Sequence, residues 1–214
     1  MILNFKIIPL IFSILFISLT AHSGGFYLET GLGISQMSGG QNIFNGQNPN
    51  AAQLGFGTNF SLLQNLSGGK DFFQFHFGAK ARSYTSSSDS RKFGLITISP
   101  HLRMEMPRLY FGAGAAPLIW QRSEHTSGFD NYQKTPGLSF NAEIGLLWRV
   151  TPDFHLAIEG DADFVKTSAG TGPSPATQIM IVMRFYFKSD QNPNAQDIKF
   201  DGWRYPFGVE IWDN

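Results

Sequence analysis

Residues 138–164 read LSFNAEIGLLWRVTPDFHLAIEGDADF, and the charges in this stretch obey a parity rule. Glu143, Arg149, Asp153, Glu159, Asp161 and Asp163 all stand at odd positions, as does His155. The large apolar residues Leu138, Phe140, Ile144, Leu146, Trp148, Val150, Leu156, Ile158 and Phe164 are nearly all even. Side chains alternate between two faces only in an extended strand, so a period of two predicts β-structure with one polar and one apolar face. Helical spacing does not sort these residues.

The same alternation recurs in eight segments, at about 25–36, 53–63, 71–85, 92–104, 108–121, 138–150, 154–166 and 176–187. Clusters of Gly, Asn, Ser, Asp or Pro bound each one, as strand ends require. The links at 37–52, 86–91, 122–137 and 167–175 are mostly long and polar, while those at 64–70, 105–107 and 151–153 are tighter. Thr151-Pro152-Asp153 predicts a compact turn, with proline fixing its own φ. Eight strands with long loops at one end and short turns at the other describe an all-β, antiparallel up-and-down barrel of the kind that spans outer membranes.

Two barrels share this pattern, and they point opposite ways. A soluble lipocalin-like barrel keeps its apolar residues inside, around a ligand. A transmembrane barrel turns them out to lipid. The polar face here carries Gly31, Gly33, Gly55, Gly57, Gly78, Gly112, Gly114 and Gly145 between its charges. An eight-stranded barrel has an interior barely wide enough for side chains, so long residues there need small ones opposite them. A solvent-facing surface has no such need, and glycine weakens a strand. The polar face is therefore expected inside.

That face holds Glu29, Glu143, Glu159, Asp161 and Asp163 against Lys80, Arg82, Arg103, Arg149 and Arg184, a balance of five to five. Buried charges need partners, and strands one and eight must meet, which makes Glu29 and Arg184 an expected pair. Glu29, Arg103, Arg149 and Arg184 fall toward the chain-end side, Lys80, Arg82, Asp161 and Asp163 toward the loops. These ion pairs either fill the lumen or line a narrow gated pore. His76, His101 and His155 share the face but lie on separate strands without ligand spacing, so no metal is expected.

The chain's 214 residues include a stretch kept out of the barrel. Residues 1–23 combine one basic residue, the apolar run Ile7–Leu19 and the small pair Ala21 and Ser23 around His22, the layout of a signal peptide cleaved before Gly24. The run is too short for the ~20 residues of a spanning helix. Loss of Lys6 with the leader leaves one basic residue fewer than the 16 acidic ones, so no positive excess draws nucleic acid. Absence of cysteine removes disulfides, thiolate metal sites and lipoprotein acylation. No cofactor motif appears.

Arg108-Leu109-Tyr110-Phe111-Gly112-Ala113-Gly114 resembles the R-P-Y-x-G-x-G opening of a central strand in the OmpA/OmpX-like outer-membrane β-barrel superfamily. Asn141-Ala142-Glu143-Ile144-Gly145, continuing through Trp148-Arg149-Val150-Thr151-Pro152 to Leu156-Ala157-Ile158-Glu159, is similar to its N-A-G-x-G-x-x-Y-x-L-T hairpin and following L-x-x-E. The resemblance spans about 24–187. It implies a monomeric barrel among outer-membrane lipids and bacterial outer-membrane localisation. Phe185 and Phe187 resemble the aromatic signal read by the barrel-insertion machinery. It does not imply one chemistry, because the superfamily includes anchors, adhesion factors, narrow pores and lipid-modifying enzymes. Two departures stand out. Glu143 replaces a frequent glycine, and 27 residues follow Phe187.

Within those residues, 188–214, Ser189–Gln196 form a polar linker, and Phe200, Trp203, Tyr205, Phe207 and Trp212 are unusually dense for a disordered segment. They suit a cap under the periplasmic mouth or a docking peptide for a periplasmic partner. Loops 37–52 and 122–137 suit solvated surface connections. His125-Thr126-Ser127 resembles the His-x-Ser of outer-membrane lipid A deacylases, with Glu124 adjacent and Glu143 the next glutamate available to orient the imidazole. The family's following Asn is Gly128 here, so no catalytic residue and no enzyme activity is expected. The sequence leads to a non-enzymatic structural or surface-interaction barrel, with a narrow pore, a soluble binder and a deacylase as the successive rivals.

Overall fold

The computed structural model describes residues 25–37, 54–66, 73–88, 91–125, 133–151, 153–167 and 174–187. They form ten strands: β1 (Phe26–Met37), β2 (Gly55–Asn65), β3 (Gln74–Ser88), β4 (Arg91–Glu105), β5 (Leu109–Ala116), β6 (Leu118–His125), β7 (Gln133–Lys134), β8 (Gly137–Thr151), β9 (Phe154–Thr167) and β10 (Ser174–Phe187). All pairings are antiparallel. The order β3-β2-β1-β10-β9-β8-β5-β4 closes on itself through β3–β4. The seam between first and last strands runs from Phe26↔Phe187 to Met37↔Ala176 without a slip.

Ten strands make eight staves, because two staves are broken. β5 and β6 form one stave interrupted at Pro117; β7 and β8 form another interrupted at Pro136. Proline has no N–H for the ladder, so it sits where an extra residue bulges out. The register shows it. β4 pairs His101↔Gly114 below the break and Ile98↔Leu118 above it, a slip of one residue. β8 pairs Ser139↔Ala116, while Lys134 pairs Trp120, another slip of one. The Thr135 amide donates to the Ile119 carbonyl at 2.8 Å and keeps the two staves joined past the break.

The strands outrun the expected segments at one end. β3 and β4 remain paired up to Ser88↔Arg91, so the expected link 86–91 is mostly hairpin, and β6 with β7 takes strand from the expected loop 122–137. Cross-strand bonding continues wherever both edges find a partner, which local polarity does not reveal. The leader 1–23, most of loop 37–52 and the segment 188–214, with Trp203, Tyr205, Phe207 and Trp212, lie outside the described residues.

Orientation is unambiguous. Glu29, Ser61, Lys80, Ser99, Arg103, Glu159 and Asp163 are fully buried or nearly so, inside the barrel. Leu32, Phe56, Phe60, Phe140, Ile144, Ile158, Ile179 and Ile181 are each about half exposed or more on its outside. Exposed apolar side chains thus form a continuous belt around the wall. The rim where Phe26 and Phe187 lie is called here the terminal rim, and the opposite one the loop rim.

Candidate functional site

The lumen is the site, and it is filled in layers. Nearest the terminal rim, Glu105 at the end of β4 accepts a hydrogen bond from Arg184 Nη1 on β10 at 2.5 Å. His76 Nε2 and Arg149 Nη2 each stand 3.8 Å from that carboxylate. Arg184 and Glu29 are direct cross-strand partners on the β1–β10 seam, and Arg184 Nε donates to Glu29 Oε1 at 2.7 Å. Ser61 Oγ, opposite Glu29 on β2, donates to the other carboxylate oxygen, Glu29 Oε2, at 2.6 Å. Tyr27 lies flat beneath this pair, with the Arg184 guanidinium 4.3 Å from its ring centre, a favourable cation–π position.

Arg103 is the hub of the middle layer. Its Nη1 donates to Glu29 Oε1 at 2.5 Å, its Nε to Glu143 Oε1 at 2.5 Å and its Nη2 to Glu159 Oε2 at 3.2 Å. The guanidinium stacks 4.2 Å from the Tyr110 ring centre, while Tyr110 Oη donates to Glu159 Oε2 at 2.7 Å. A planar five-donor fork serves three carboxylates in a way an ammonium does not. Lys80 holds the next position. Its Nζ contacts Glu143, reaches Glu159 Oε1 at 2.6 Å and lies 3.4 Å from Asp161 Oδ2. Arg82 completes the layer, 3.4 Å from Asp161 and 3.5 Å from Glu143.

Glycines make the room. A Cβ on Gly145 would fall 2.0 Å from Tyr110 Cζ, and one on Gly112 would fall 2.5 Å from Glu143 Oε1. The long inward residues of one stave lie in notches of the next, as the spacing of the polar face implied.

Toward the loop rim the charges end in Asp163. Tyr84 Oη, Ser139 Oγ and Thr97 Oγ1 donate to it at 2.7, 2.7 and 3.0 Å. Three hydroxyls solvate a buried carboxylate in place of a cation. Beyond it the inward residues turn apolar: Met37, Phe93, Leu95, Ile119, Val165 and Ala176 pack with Tyr84 into one buried cluster. The lumen is therefore an ionic column topped by an apolar layer.

Nine of the ten expected charges come together in that column. Arg149 is the exception in degree. Its side chain is 17% exposed, because the register slips between Arg149 and Thr151 and tilts it toward the rim. The expected five-to-five balance is corrected. Among the described residues, six buried carboxylates, with Glu105 added, face four buried cations, with Arg149 at the mouth. Glu105 escaped notice because the turn after β4 seemed to begin there; its odd parity with Arg103 was the available signal. Tyr27, Tyr84, Tyr110 and the apolar layer were also missed, although each shares parity with a polar neighbour two residues away.

Two chemical readings bear on these carboxylates. Glu143, Glu159 and Asp161 bring carboxylate oxygens within 4.8 Å of one another, the donor set of a hard cation. The Lys80 ammonium already contacts all three and occupies the place such an ion takes. Glu143 is committed to Arg103 and Lys80, and His125, whose side chain lies outside the described ones, ends β6 opposite Arg91. Ser127 lies outside the described residues.

A closed barrel with charge inside and a grease belt outside is a transmembrane β-barrel. No protein-family model and no curated protein matches the chain. Among solved structures it is similar to Neisserial surface protein A, at 17% identity and a TM-score of 0.52, over 77% of this chain and 99% of that one. Weaker likenesses include the attachment invasion locus protein Ail of Yersinia pestis in complex with the heparin analogue sucrose octasulfate (13% identity, TM-score 0.44, 76% and 99% covered) and the outer membrane protein OprG from Pseudomonas aeruginosa (12%, 0.41, 78% and 98%). The chain thus has the small eight-stranded outer-membrane barrel fold that its likeness to the OmpA/OmpX-like superfamily implied.

Proposed function

We propose that the protein is a closed, monomeric barrel of the bacterial outer membrane with a structural or surface-interaction role, and neither a pore nor an enzyme. One observation carries this reading. Solute passage needs a continuous polar path, and here the axis is blocked twice, by the Arg103–Glu143–Lys80 column and by the Leu95–Ile119 layer. The apolar belt supports a membrane site, since about 30 Å of hydrocarbon accepts such a surface and water does not. Activity then belongs to the loop rim, where the surface loops begin. Phe185 and Phe187, outward at the end of β10, the first tilted against Phe154 at 5.3 Å and the second stacked on Phe26 at 5.1 Å, are the aromatics offered to the insertion machinery.

Planar-bilayer recording on the refolded protein tests the closed lumen, and outer-membrane fractionation with heat-modifiable gel migration tests the location. Silence and an outer-membrane fraction are expected. Stepwise ion conductance in the wild-type protein would replace this reading with that of a narrow pore.

A further inference from the structure

Three buried side chains near the middle of the lumen are arranged for a reaction that an ion-pair network does not need. Glu159 Oε1 accepts from Lys80 Nζ at 2.6 Å and from Asn59 Nδ2 at 2.6 Å, so one carboxylate oxygen joins an amine to a carboxamide. All three residues are buried. The register brings them together. Asn59 faces Arg82 and Ser61 faces Lys80 across β2 and β3. Asn59 and Lys80 are therefore diagonal neighbours on the inner face, with Cβ atoms about 7 Å apart, a gap the two side chains span between them. Glu159 reaches both from β9. Tyr110 Oη and Arg103 Nη2 donate to its other oxygen, Oε2, at 2.7 and 3.2 Å and hold the carboxylate in place.

An amine, an acyl group and an acid–base group shared between them are the parts of an amide exchange. Lys80 also contacts Glu143 and lies near Asp161. Those carboxylates are paired with Arg103 and Arg82, and an ionised carboxylate is a poor acyl acceptor. The carboxamide of Asn59 is uncharged. Its Oδ1 has no hydrogen-bond partner among the described residues. Arg82, its direct partner across β2–β3, keeps an Nε whose only contact is the 3.4 Å ion pair with Asp161 Oδ1, a donor for the oxyanion that forms during attack. A dry, preorganised interior also removes water as a competing nucleophile.

We infer that Lys80 and Asn59 join through an intramolecular isopeptide bond inside the folded barrel. Glu159 takes one proton from the Lys80 ammonium, and the Nζ lone pair so freed attacks Asn59 Cγ. Glu159 passes that proton to Nδ2 and takes a second from Nζ. The Cγ–Nδ2 bond breaks with its electrons on nitrogen, and ammonia leaves. Nζ keeps its third hydrogen as an amide N–H. Glu159 ends protonated, so the lumen loses a positive and a negative charge together and no charge is stranded. The reaction needs no oxidant and no cofactor, and it depends only on the fold, wherever the barrel resides.

The test uses the full chain refolded from urea into detergent micelles, then denatured, digested with trypsin and weighed by mass spectrometry. The same chain never taken out of urea before digestion is the control. Trypsin does not cut after an acylated lysine. The fragment that carries Asn59 and ends at Lys70 is therefore expected joined to residues 71–82, uncut after Lys80 and lighter than the two together by one ammonia. The control is expected to give separate fragments and a cut after Lys80. Glu159→Gln, similar in shape but unable to carry the proton, is expected to stay unlinked while showing folded gel mobility. Folded wild type that is still cut after Lys80 overturns the inference, whatever the variant does. A link already present in the control overturns it too, because the fold then plays no part. A link that costs one water instead of one ammonia makes a carboxylate the acceptor and overturns the assignment to Asn59. A link that forms as fast in folded Glu159→Gln as in wild type overturns the role given to Glu159.

Discussion

Gly145→Ala adds one methyl group in the middle of β8, on the inward face. In the structure that methyl meets Tyr110 Cζ at 2.0 Å and Tyr110 Oη at 2.3 Å. The ring cannot stay. Its displacement strains a packed interior, at about 1–3 kcal/mol. It also draws Tyr110 Oη away from Glu159 Oε2 and the ring away from Arg103, and a hydrogen bond to a charged group is worth about 1.5–3 kcal/mol. Partial relaxation of the ring offsets part of the sum, which leaves a destabilisation of about 3 kcal/mol. The matched control is Gly160→Ala on β9. Its Cβ points outward and finds nothing nearer than Ile144 Cγ2 at 3.8 Å, so stability is unchanged or rises by about 0.5 kcal/mol as backbone entropy falls. Reversible urea unfolding in lipid vesicles, followed by tryptophan fluorescence and gel mobility, measures both. Adding Tyr110→Leu to Gly145→Ala should recover about 1–2 kcal/mol as coupling, because the obstructing ring is gone. Equal stabilities for Gly145→Ala and Gly160→Ala would refute the notch-and-ring reasoning outright.

Other expectations follow from the same column. Arg103→Met removes the cation shared by three buried carboxylates, leaving Glu29 to Arg184 and Glu143 and Glu159 to Lys80, and should cost about 3–5 kcal/mol, whereas Arg149→Ala, partly exposed with its Glu105 carboxylate 3.8 Å away, should cost less than 1 kcal/mol; urea midpoints in vesicles decide. Leu95→Ala opens a cavity in the apolar layer and should lower stability by about 2–5 kcal/mol, read by the same unfolding curve. Removing both blocks, with Leu95→Ser and Ile119→Ser in an Arg103→Ser background, should turn a silent barrel into a conducting one in planar bilayers if the protein still shows its folded gel mobility. Silence of that folded triple variant would mean the lumen is blocked elsewhere.

The architecture was legible because a strand leaves a strict record. Phe140, Asn141, Ala142 and Glu143 alternate in sequence and lie alternately out and in. The inside was legible through size, since Gly145 and Gly112 make sense only opposite Tyr110 and Glu143. Legibility failed where pairing, not pattern, decides. Ser86–Ser88 are polar and looked like loop, yet they bond along β4 to its start. Pro117 and Pro136 each add a residue to a stave, and only the partner strand exposes the slip. Glu105 stood beside a turn signal that outweighed its parity. The apolar layer was hidden for a different reason: Met37, Leu95 and Ile119 are greasy on a face otherwise polar, and a face is named by its majority.

The central claim is that the polar face looks inward and the apolar face touches acyl chains. The absence of native cysteine allows single-cysteine nitroxide scanning of β9 in vesicles, with collision rates measured against dissolved oxygen. Leu156, Ile158 and Phe164 positions should collide readily with oxygen, while Ala157 and Val165 positions should be shielded, giving an alternation of period two. An alternation of the opposite phase, or none, would contradict the account.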